Sequence, residues 1–504
     1  MSTENKNSIV KVIGASSLGT LIEWYDFYIF GSLATIIGSK LFPSDAGASA
    51  LINTLAIFAA GFIVRPFGAL VFGRLGDLIG RKYTFLLTLV LMGGSTFLIG
   101  LIPSYETIGY AAPILVLILR LVQGLALGGE YGGAATYVAE HAPKGKRGYF
   151  TSWIQTTATL GLFISLGVIV VTKNTLGNEM FSDWGWRVPF LLSILLVVVS
   201  IYIRMKMHES PEFTRLKSEG KVSKNPLKDS FSKKENFKMV LLALFGAAMG
   251  QGVIWYTGQF YAQSFIENTC KVDFNDSRYI LLWAIAFATP FFVVFGSLSD
   301  KVGRKWIMML GMLLGILFYR PIYQNFLDST DYAKLEQTEL KSAEAPSVVR
   351  ALAPNGADST ITTTTLKTLN SGATYKEIKT TTVFADSSLE PAETVVLKDK
   401  TLAAATFWKF VALVFFQVLL VTMVYGPIAA FLVELFPTKI RYTSMSLPYH
   451  IGNGVFGGLV PFIATLIISY QGSTPLSGLW YPIGVAAVCL IIGSIYLSNN
   501  THKR

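Results

Sequence analysis

Long apolar segments alternate with short polar segments along most of the chain. A helix needs roughly 20 apolar residues to cross the hydrocarbon core of a bilayer. Segments of this kind lie near residues 12–41, 50–72, 84–102, 110–139, 150–172, 186–206, 238–266, 278–298, 306–323, 404–436, 442–470 and 478–497. The pattern predicts an all-α polytopic membrane protein with 12 transmembrane helices.

Polar stretches divide these segments into groups. Residues 1–206 hold the first six segments and form the predicted N-terminal half. The basic stretch 207–237 is the predicted cytoplasmic linker. Residues 238–323 supply helices 7–9 of the C-terminal half, and residues 403–504 supply helices 10–12 and a tail. The polar stretch 324–402 interrupts that half and is predicted to be an insert.

A short glycine-containing loop occurs twice in the chain. Gly73–Lys82 and Gly296–Lys305 carry Gly, Leu, Asp, Gly, Arg and Lys at the same six positions, 223 residues apart (296 − 73). Glu140 and Glu434 end the fourth and tenth apolar segments, but they are 294 residues apart (434 − 140). The repeat predicts two pseudo-symmetric six-helix halves, and the larger second offset places about 71 extra residues between helices 9 and 10.

The insert is polar and rich in threonine. Its segments 361–367 and 375–378 resemble short strands on either side of the turn Asn370-Ser371-Gly372. We therefore predict a small β-rich insert. A disordered Ser/Thr-rich loop is the alternative.

Composition supports a membrane protein. Hydrophobic residues make up 52% of the chain and charged residues only 14%, whereas a soluble protein carries about a quarter charged residues. The net charge of +11 lies mainly in short loops, which indicates control of topology and not nucleic-acid binding. Lys and Arg concentrate on the side of the repeated loops. This predicts an inner or plasma membrane protein with both termini cytoplasmic and residues 324–402 extracytoplasmic.

No pattern in the sequence indicates catalysis or a cofactor. The chain lacks a metal-ligand cluster, a nucleophile–base pair and a Walker-type phosphate loop. We therefore expect no enzyme activity, no metal and no cofactor. The expected partners are a small-molecule substrate, a proton and the lipid bilayer, and we expect a monomer.

The repeated loop predicts a gate at the cytoplasmic face. Asp77 can accept backbone hydrogen bonds at a helix N terminus, where the helix dipole favours an anion. Arg81 can reach Glu140 at a neighbouring helix end, and the second copy repeats the pattern. The predicted gate residues are Gly73, Asp77, Gly80, Arg81, Glu140, Asp300, Gly303, Arg304 and Glu434. The alternative is that these charges only set topology.

With its apolar segments, its central linker and G-x-L-x-D-x-x-G-R-K after the second and eighth segments, the chain resembles the major facilitator superfamily. Shorter motifs resemble its metabolite:proton symporter family, which holds proline/betaine, α-ketoglutarate, citrate and shikimate carriers. These motifs are Glu23–Phe27, Arg65–Gly68, Arg120–Gly124, Gly128–Gly133, Trp186–Leu191 and Glu209–Phe213. The resemblance implies a proton-coupled solute carrier that works by alternating access. Thr20, where the family often has Asn, and the insert depart from the pattern.

Charged residues inside predicted helices are candidates for the mechanism. Glu23 and Asp26 share a face of helix 1, and Arg120 lies about 15 Å into helix 4. An ion in hydrocarbon costs several kcal/mol, so each needs a partner or a function. We predict that Asp26 faces Arg120 and that its protonation frees Arg120 for an anionic substrate group, with Glu23 as the next candidate for the proton. A permanent ion pair that locks helices 1 and 4 is the alternative.

Amide and aromatic side chains predict the rest of a binding site. Gln251, Trp255 and Gln259 recur every four residues in helix 7. Such groups can bind a carboxylate, a hydroxyl or a quaternary ammonium. The predicted substrate-binding residues are Arg120, Gln123, Gln155, Gln251, Trp255, Tyr256, Gln259, Tyr449 and Asn453. Helix–helix hydrogen bonding is the alternative role.

Together these features predict secondary active symport of a proton with a small organic acid or zwitterion. One alternative is a sugar or drug carrier on the same scaffold. The other is a transporter-like sensor that uses its extracytoplasmic insert.

Overall fold

The structure is a computed structural model of the 504-residue chain. It describes residues 20–21, 24–26, 28–79, 81–128, 131, 135, 138–139, 142–143, 145–205, 232–352, 358–384, 391–436 and 441–499. Most of the predicted linker, 207–237, therefore lies outside the described residues. So do Glu23, Gly80, Glu140 and the side chains of Asp77 and Arg81.

Helices make up both halves of the described chain. The N-terminal half contains α1 (Ala34–Leu41), α2 (Ala48–Ile63 and Arg65–Ile79), α3 (Arg81–Leu101), α4 (Ala111–Gly128), α5 (Arg147–Leu176) and α6 (Val188–Met205). Residues 24–26 and 28–32 ahead of α1 are also helical. The C-terminal half contains α7 (Lys234–Thr269), α8 (Phe274–Val302), α9 (Arg304–Ser329), α10 (Ala404–Tyr425 and Ile428–Leu435), α11 (Arg441–Tyr449, His450–Gly457 and Val460–Ser469) and α12 (Trp480–Tyr496). Short helical turns in the connections are Ser44–Ala46, Tyr105–Ile108, Asn178–Asp183, Gly185–Arg187 and Ser477–Leu479.

Many of these helices match the predicted apolar segments. Within the described residues, nine are long and apolar enough to cross a membrane, and Leu87–Leu101 and Gly185–Val199 are shorter apolar helices. The structure thus confirms a mostly helical protein of membrane type. The total of 12 transmembrane helices stays a prediction.

Glycine brings α2 and α4 together at the level of Arg120. A Cβ added at Gly124 would lie 1.9 Å from the carbonyl oxygen of Gly61, so the two backbones are in direct contact. Small residues permit such close approach between membrane helices. The contact fixes the position from which Arg120, one turn earlier in α4, enters the interior.

Helix α7 departs from regular α-helical geometry. It contains three π-helical segments, Leu244–Ala248, Thr257–Tyr261 and Phe265–Thr269. Such segments are frequent at functional sites because they change the direction in which side chains leave the helix. The first two lie on either side of Gln251, Trp255 and Tyr256, and the second contains Gln259.

The insert contains a helix and an antiparallel sheet. The helix is Tyr332–Glu339, and the strands are β1 (Leu340–Ala343), β2 (Ser347–Leu352), β3 (Ser359–Leu369), β4 (Thr374–Val383) and β5 (Ala392–Lys398). The order is β1-β3-β4-β5, and β2 also pairs with β3. β3 and β4 form a hairpin in register from Ser359↔Val383 to Thr368↔Thr374. Its turn includes Gly372 at φ 85°, a conformation that glycine adopts without strain.

The sheet is tied to the turn between α7 and α8. Val272 and Lys400 form a parallel bridge, and the backbone N–H of Asp273 donates to the carbonyl of Lys400 at 2.8 Å. The backbone N–H of Leu402 donates to Asp276 Oδ2 at 2.9 Å. These bonds join the base of the sheet to the start of α8. That the insert is a β-rich unit outside the cytoplasm stays a prediction.

Candidate functional site

Aromatic side chains from both halves meet at the centre of the bundle. The Tyr28 ring, just ahead of α1, stacks on Trp255 of α7 with 5.5 Å between ring centroids. Trp24 also stacks on Tyr28, with 5.0 Å between ring centroids, and its ring centroid lies 6.5 Å from that of Trp255. Phe62 of α2 meets Tyr256 edge-on at 5.1 Å. The two halves therefore share one buried aromatic cluster. It contains Trp255 and Tyr256, two of the residues that were predicted to bind substrate.

Arg120 and Gln123 form a polar group beside this cluster. Both are completely buried. The guanidinium of Arg120 donates to Gln123 Oε1 and, at 3.3 Å, to the carbonyl of Phe58, and it lies 4.7 Å from the ring centroid of Phe30. The amide of Gln123 donates to Thr96 Oγ1 at 2.7 Å. These contacts hold the guanidinium in place within the N-terminal half.

Asp26 is connected to Arg120 through Gln123. The amide of Gln123 donates to the backbone carbonyl of Asp26 at 3.4 Å. The Asp26 carboxylate is completely buried, and neither of its oxygens accepts a hydrogen bond within the described part of the chain. The direct Asp26–Arg120 pair predicted from the sequence is therefore not formed in this conformation. The sequence places both residues at a similar depth in the membrane, but it does not specify the rotation of each helix about its own axis.

A second polar network crosses between the halves. Gln155 of α5 donates to the Tyr131 hydroxyl at 2.5 Å, and the Tyr131 ring stacks on Tyr449 of α11 with centroids 3.7 Å apart. The Tyr449 and Tyr425 hydroxyls are 2.9 Å apart. Asn453 donates to the Tyr449 hydroxyl at 3.5 Å, and Gln251 donates to Asn453 Oδ1 at 3.2 Å.

This network unites four of the predicted binding residues, Gln155, Gln251, Tyr449 and Asn453. Tyr131 and Tyr425 were not predicted from the sequence to belong to the site. Tyr131 falls within the glycine-rich motif Gly128–Gly133, which could have singled it out. Tyr425 carries no such signal.

Buried polar atoms without protein partners point into the same region. Trp255 Nε1, both ends of the Gln259 amide, Gln251 Oε1 and Gln155 Oε1 make no hydrogen bond to any described residue. A buried polar group left unpaired costs free energy, so native proteins pair such groups with protein, water or ligand. The arrangement fits a site that a polar solute or water completes.

Arg65 is a second buried cation. It begins the sequence motif Arg65–Gly68 but was not predicted to be part of the binding site. Its guanidinium carbon lies 4.2 Å from the Phe62 ring centroid and 5.5 Å from that of Trp24. A Cβ added at Gly454 of α11 would lie 3.5 Å from Arg65 Cδ. An arginine inside an apolar segment was the sequence feature that could have indicated a place in the site. Near the centre, the described residues thus include two guanidinium groups and the carboxylate of Asp26.

One end of the bundle, the latch end, carries Asp300 and Arg304. Arg304 donates through Nε and Nη2 to the two oxygens of Glu434, at 2.7 Å each, and through Nη2 to Asp300 Oδ1 at 2.9 Å. Asp300 also accepts the backbone N–H groups of Gly148 and Tyr149, both at 2.8 Å. The carboxylate therefore caps the N terminus of α5, which belongs to the other half.

The predicted grouping of Asp300, Arg304 and Glu434 is thus present. Gly303 ends α8 at φ 96°, in the region that favours glycine. The counterparts in the N-terminal half are Gly73, Asp77, Gly80, Arg81 and Glu140. Of these, the structure describes neither Gly80 and Glu140 nor the side chains of Asp77 and Arg81.

Contacts also join the halves at the opposite end, the insert end, which carries Lys271 and Lys400. Arg278 of α8 donates to the carbonyl of Ser32 at 2.7 Å and pairs with Glu267 at 3.0 Å. Asn174 of α5 donates to the Tyr279 hydroxyl at 2.8 Å. Because both ends are bridged, the central residues are enclosed between the halves. No group of three His, Cys, Asp or Glu within the described residues is arranged to hold a metal ion.

Comparison with known proteins places this arrangement in a family. The family model "Sugar (and other) transporter" matches residues 11–230. The inner membrane metabolite transport protein YhjE of Escherichia coli is 32% identical over 92% of this chain and 89% of its own length. The chain belongs to the major facilitator superfamily. Its superfamily relatives are transporters and not enzymes.

Two further relatives carry substrates in their names. The citrate-proton symporter of Klebsiella pneumoniae is 28% identical over 95% of this chain and 89% of its own length. The proline/betaine transporter of Escherichia coli is 36% identical over 62% of this chain and 64% of its own length. The resemblance to metabolite:proton symporters of the superfamily is therefore confirmed at the level of the family.

A solved superfamily structure shares the fold. The xylose transporter XylE of Escherichia coli, in a partially occluded inward-open conformation, superposes with a TM-score of 0.64 at 15% identity, covering 98% of both chains. Identity this low supports the fold alone. The multi-pass helical architecture is thereby that of a major facilitator.

Proposed function

We propose that the protein carries a small organic acid or zwitterion together with a proton across the bacterial inner membrane by alternating access. The observation that carries this proposal is the enclosed polar centre. Two guanidinium groups, unpaired amides and an aromatic cluster lie between two halves that touch at both ends. A site open to one side at a time needs contacts of this kind at each end.

The charges at the centre favour a substrate with a carboxylate. Arg120 and Arg65 are positioned in a buried region where charge interactions are strong. Guanidinium groups match carboxylates geometrically, and Trp24, Tyr28 and Trp255 offer ring faces that suit a cationic group. The names of the citrate and proline/betaine relatives support the same two substrate classes.

We assign the transported proton to Asp26, with Glu23 as the second candidate. An ionised Asp26 carboxylate would have no hydrogen-bond donor within the described residues. Gln123 is hydrogen-bonded both to the Asp26 backbone and to the Arg120 guanidinium. A movement of Asp26 on protonation would therefore reach Arg120, the proposed substrate-binding cation, through Gln123. Gln123 is therefore the proposed link between protonation and binding.

The latch end is the proposed cytoplasmic gate. Asp300, Arg304 and Glu434 form one set, and Asp77, Arg81 and Glu140 form the second set by the sequence repeat. We also propose the architecture and oligomeric state that the sequence predicts. The protein has 12 transmembrane helices, cytoplasmic termini and a β-rich extracytoplasmic insert over residues 324–402, and it works as a monomer.

Uptake into proteoliposomes tests this function. Purified protein is reconstituted with an inside-alkaline pH gradient and offered labelled citrate, α-ketoglutarate, L-proline, glycine betaine or D-xylose. We expect at least one acid or zwitterion to accumulate and a protonophore to abolish accumulation. Accumulation of D-xylose alone would establish the sugar-carrier alternative. Correct insertion with no transport would favour the sensor.

A further inference from the structure

A narrow cleft at the insert end leads toward the central site. It lies between α1, α2, α7 and α11, and its lining includes Ser32, Gln263, Ser264, Glu267 and Asn268. None of these five residues is among the nine predicted substrate-binding residues. The cleft is distinct from the aromatic cluster at the centre.

An aromatic pair forms the floor of the cleft. The Phe58 and Phe260 ring centroids are 5.5 Å apart, and Phe260 lies 5.1 Å from Tyr28 of the central cluster. A Cβ added at Gly31 would lie 2.7 Å from the Phe260 ring and 2.9 Å from the Phe58 ring. The absence of a side chain at Gly31 therefore lets the rings close. One layer of aromatic side chains separates the cleft from the centre.

Two buried polar atoms at the cleft lack protein partners. Ser32 is 1% exposed and Gln263 is 4% exposed, and neither Ser32 Oγ nor Gln263 Oε1 bonds to any described residue. Burial without a partner is costly unless a ligand or water supplies the bond. The side chains of Thr35, Asn268 and Ser264 bond to one another nearby. The open positions are thus those of Ser32 and Gln263.

The cleft presents oxygen acceptors and a carboxylate. Glu267 lies one helical turn after Gln263, and its side chain remains 12% exposed. Its partner Arg278 is 1% exposed, and the guanidinium is already bonded to the carbonyls of Ser32 and Phe274. Arg278 is not among the residues that line the cleft, whereas Glu267 and Gln263 are. A compact group with N–H donors and a positive charge is the chemical match.

We propose that this cleft is a first binding site for the ammonium group of a zwitterionic solute, which occupies it before Phe58 and Phe260 separate. This rests on the proposed function, of which it selects the zwitterion branch. An ammonium group at Glu267 competes with Arg278 for the carboxylate. Because Arg278 also holds the Ser32 carbonyl of the opposite half, occupation of the cleft weakens a contact that keeps the insert end closed.

Cysteine labelling with reagents of opposite charge tests the proposal without requiring transport. The full chain carries Cys270→Ala, Cys489→Ala and Ser264→Cys, with Tyr110→Cys as an exposed reference in place of Ser264→Cys. Intact cells are treated with the trimethylammonium or the sulfonate methanethiosulfonate reagent. Relative to the reference, we expect the cationic reagent to react about tenfold faster than the anionic reagent, since a carboxylate within a few ångströms attracts one and repels the other. L-Proline should slow labelling, and citrate should not.

Two variants connect the preference to named residues. Glu267→Gln should reduce the rate ratio to that of the reference, and its thermal stability shows whether Arg278 tolerates the change. Gln263→Leu leaves the ion pair intact and should retain the ratio but lose protection by L-proline. Equal rates for the two reagents, a faster anionic reagent, or labelling that L-proline does not slow would each overturn the proposal. The proposed function is judged separately, by uptake, so labelling with cation preference but no uptake of any solute contradicts transport and not the cleft.

Discussion

Replacement of Asp300 by Asn tests the latch end directly. Asp300 accepts the N–H groups of Gly148 and Tyr149 from α5, and it also accepts Arg304 from its own half. Of these Asp300 hydrogen bonds, opening of the latch end breaks the two to α5 and keeps the one to Arg304, because Asp300 and Arg304 belong to the same half and move together. The substitution should therefore shift the equilibrium between closed and open conformations and should have a smaller effect on the fold of either half.

The structure sets the size of the shift. A side-chain cap on a helix N terminus stabilises it by about 0.5–2 kcal/mol. Asn keeps one acceptor oxygen and loses the charge, so we expect Asp300→Asn to cost the closed conformation about 1 kcal/mol. Asp300→Ala loses both acceptors and should cost about 2 kcal/mol. These values correspond to about 5-fold and about 30-fold increases in the ratio of open to closed molecules.

Distances between spin labels at Trp153 of α5 and Val302 of α8, both exposed, would measure that ratio. The labels are placed in a chain that lacks Cys270 and Cys489. The graded series wild type, Asn and Ala should show a growing long-distance population. Asp328→Asn is the matched control, since this exposed carboxylate bonds only to Gln324 within its own helix among the described contacts. Identical distance distributions for wild type and Asp300→Ala would show that Asp300 does not hold the latch end closed.

Two further changes probe the latch and the insert. Gly148→Ala would place a Cβ 2.4 Å from the carbonyl oxygen of Gly296. We therefore expect it to destabilise the closed latch end by about 1–3 kcal/mol and to lengthen the distance between the spin labels. Gly167→Ala is the control, because a Cβ at this position of the same helix meets open space and should change neither quantity. Lys367 contacts Glu336 at 2.5 Å and Glu377 at 2.6 Å. Lys367→Ala removes the cation that these two carboxylates share, so limited proteolysis should cleave residues 332–398 faster. Uptake should be unchanged. The more exposed pair of Lys379 with Glu393 provides the control, because Lys379→Ala should have little effect on cleavage.

The sequence predicted the helices because membrane segments have a strong compositional signal. Apolar length alone marks them, as α8, α10 and α12 show. The repeat also predicted the grouping of Arg304 with Glu434, because duplicated halves place equivalent residues at equivalent helix ends. What it did not predict is that Asp300 caps α5 of the other half. That contact depends on how the two halves pack, which no local pattern encodes.

The central site was predicted less completely, for physical reasons that differ between residues. Asp26 and Arg120 were matched by depth, but helix rotation places Gln123 between them. Gln251, Trp255 and Gln259 were placed on one face by a regular helical period. The π-helical segment Thr257–Tyr261 changes that period, and Gln251 bonds to Asn453 while the Gln259 amide bonds to no described residue. Tyr425 enters the network through tertiary packing alone.

A comparison of uptake with exchange tests whether Asp26 couples transport to the proton. Wild-type and Asp26→Asn proteins are reconstituted, and accumulation of the transported solute against its gradient is measured beside exchange at equal concentrations. We expect Asp26→Asn to lose accumulation driven by the pH gradient and to retain exchange. Accumulation by Asp26→Asn at the wild-type level would contradict this expectation.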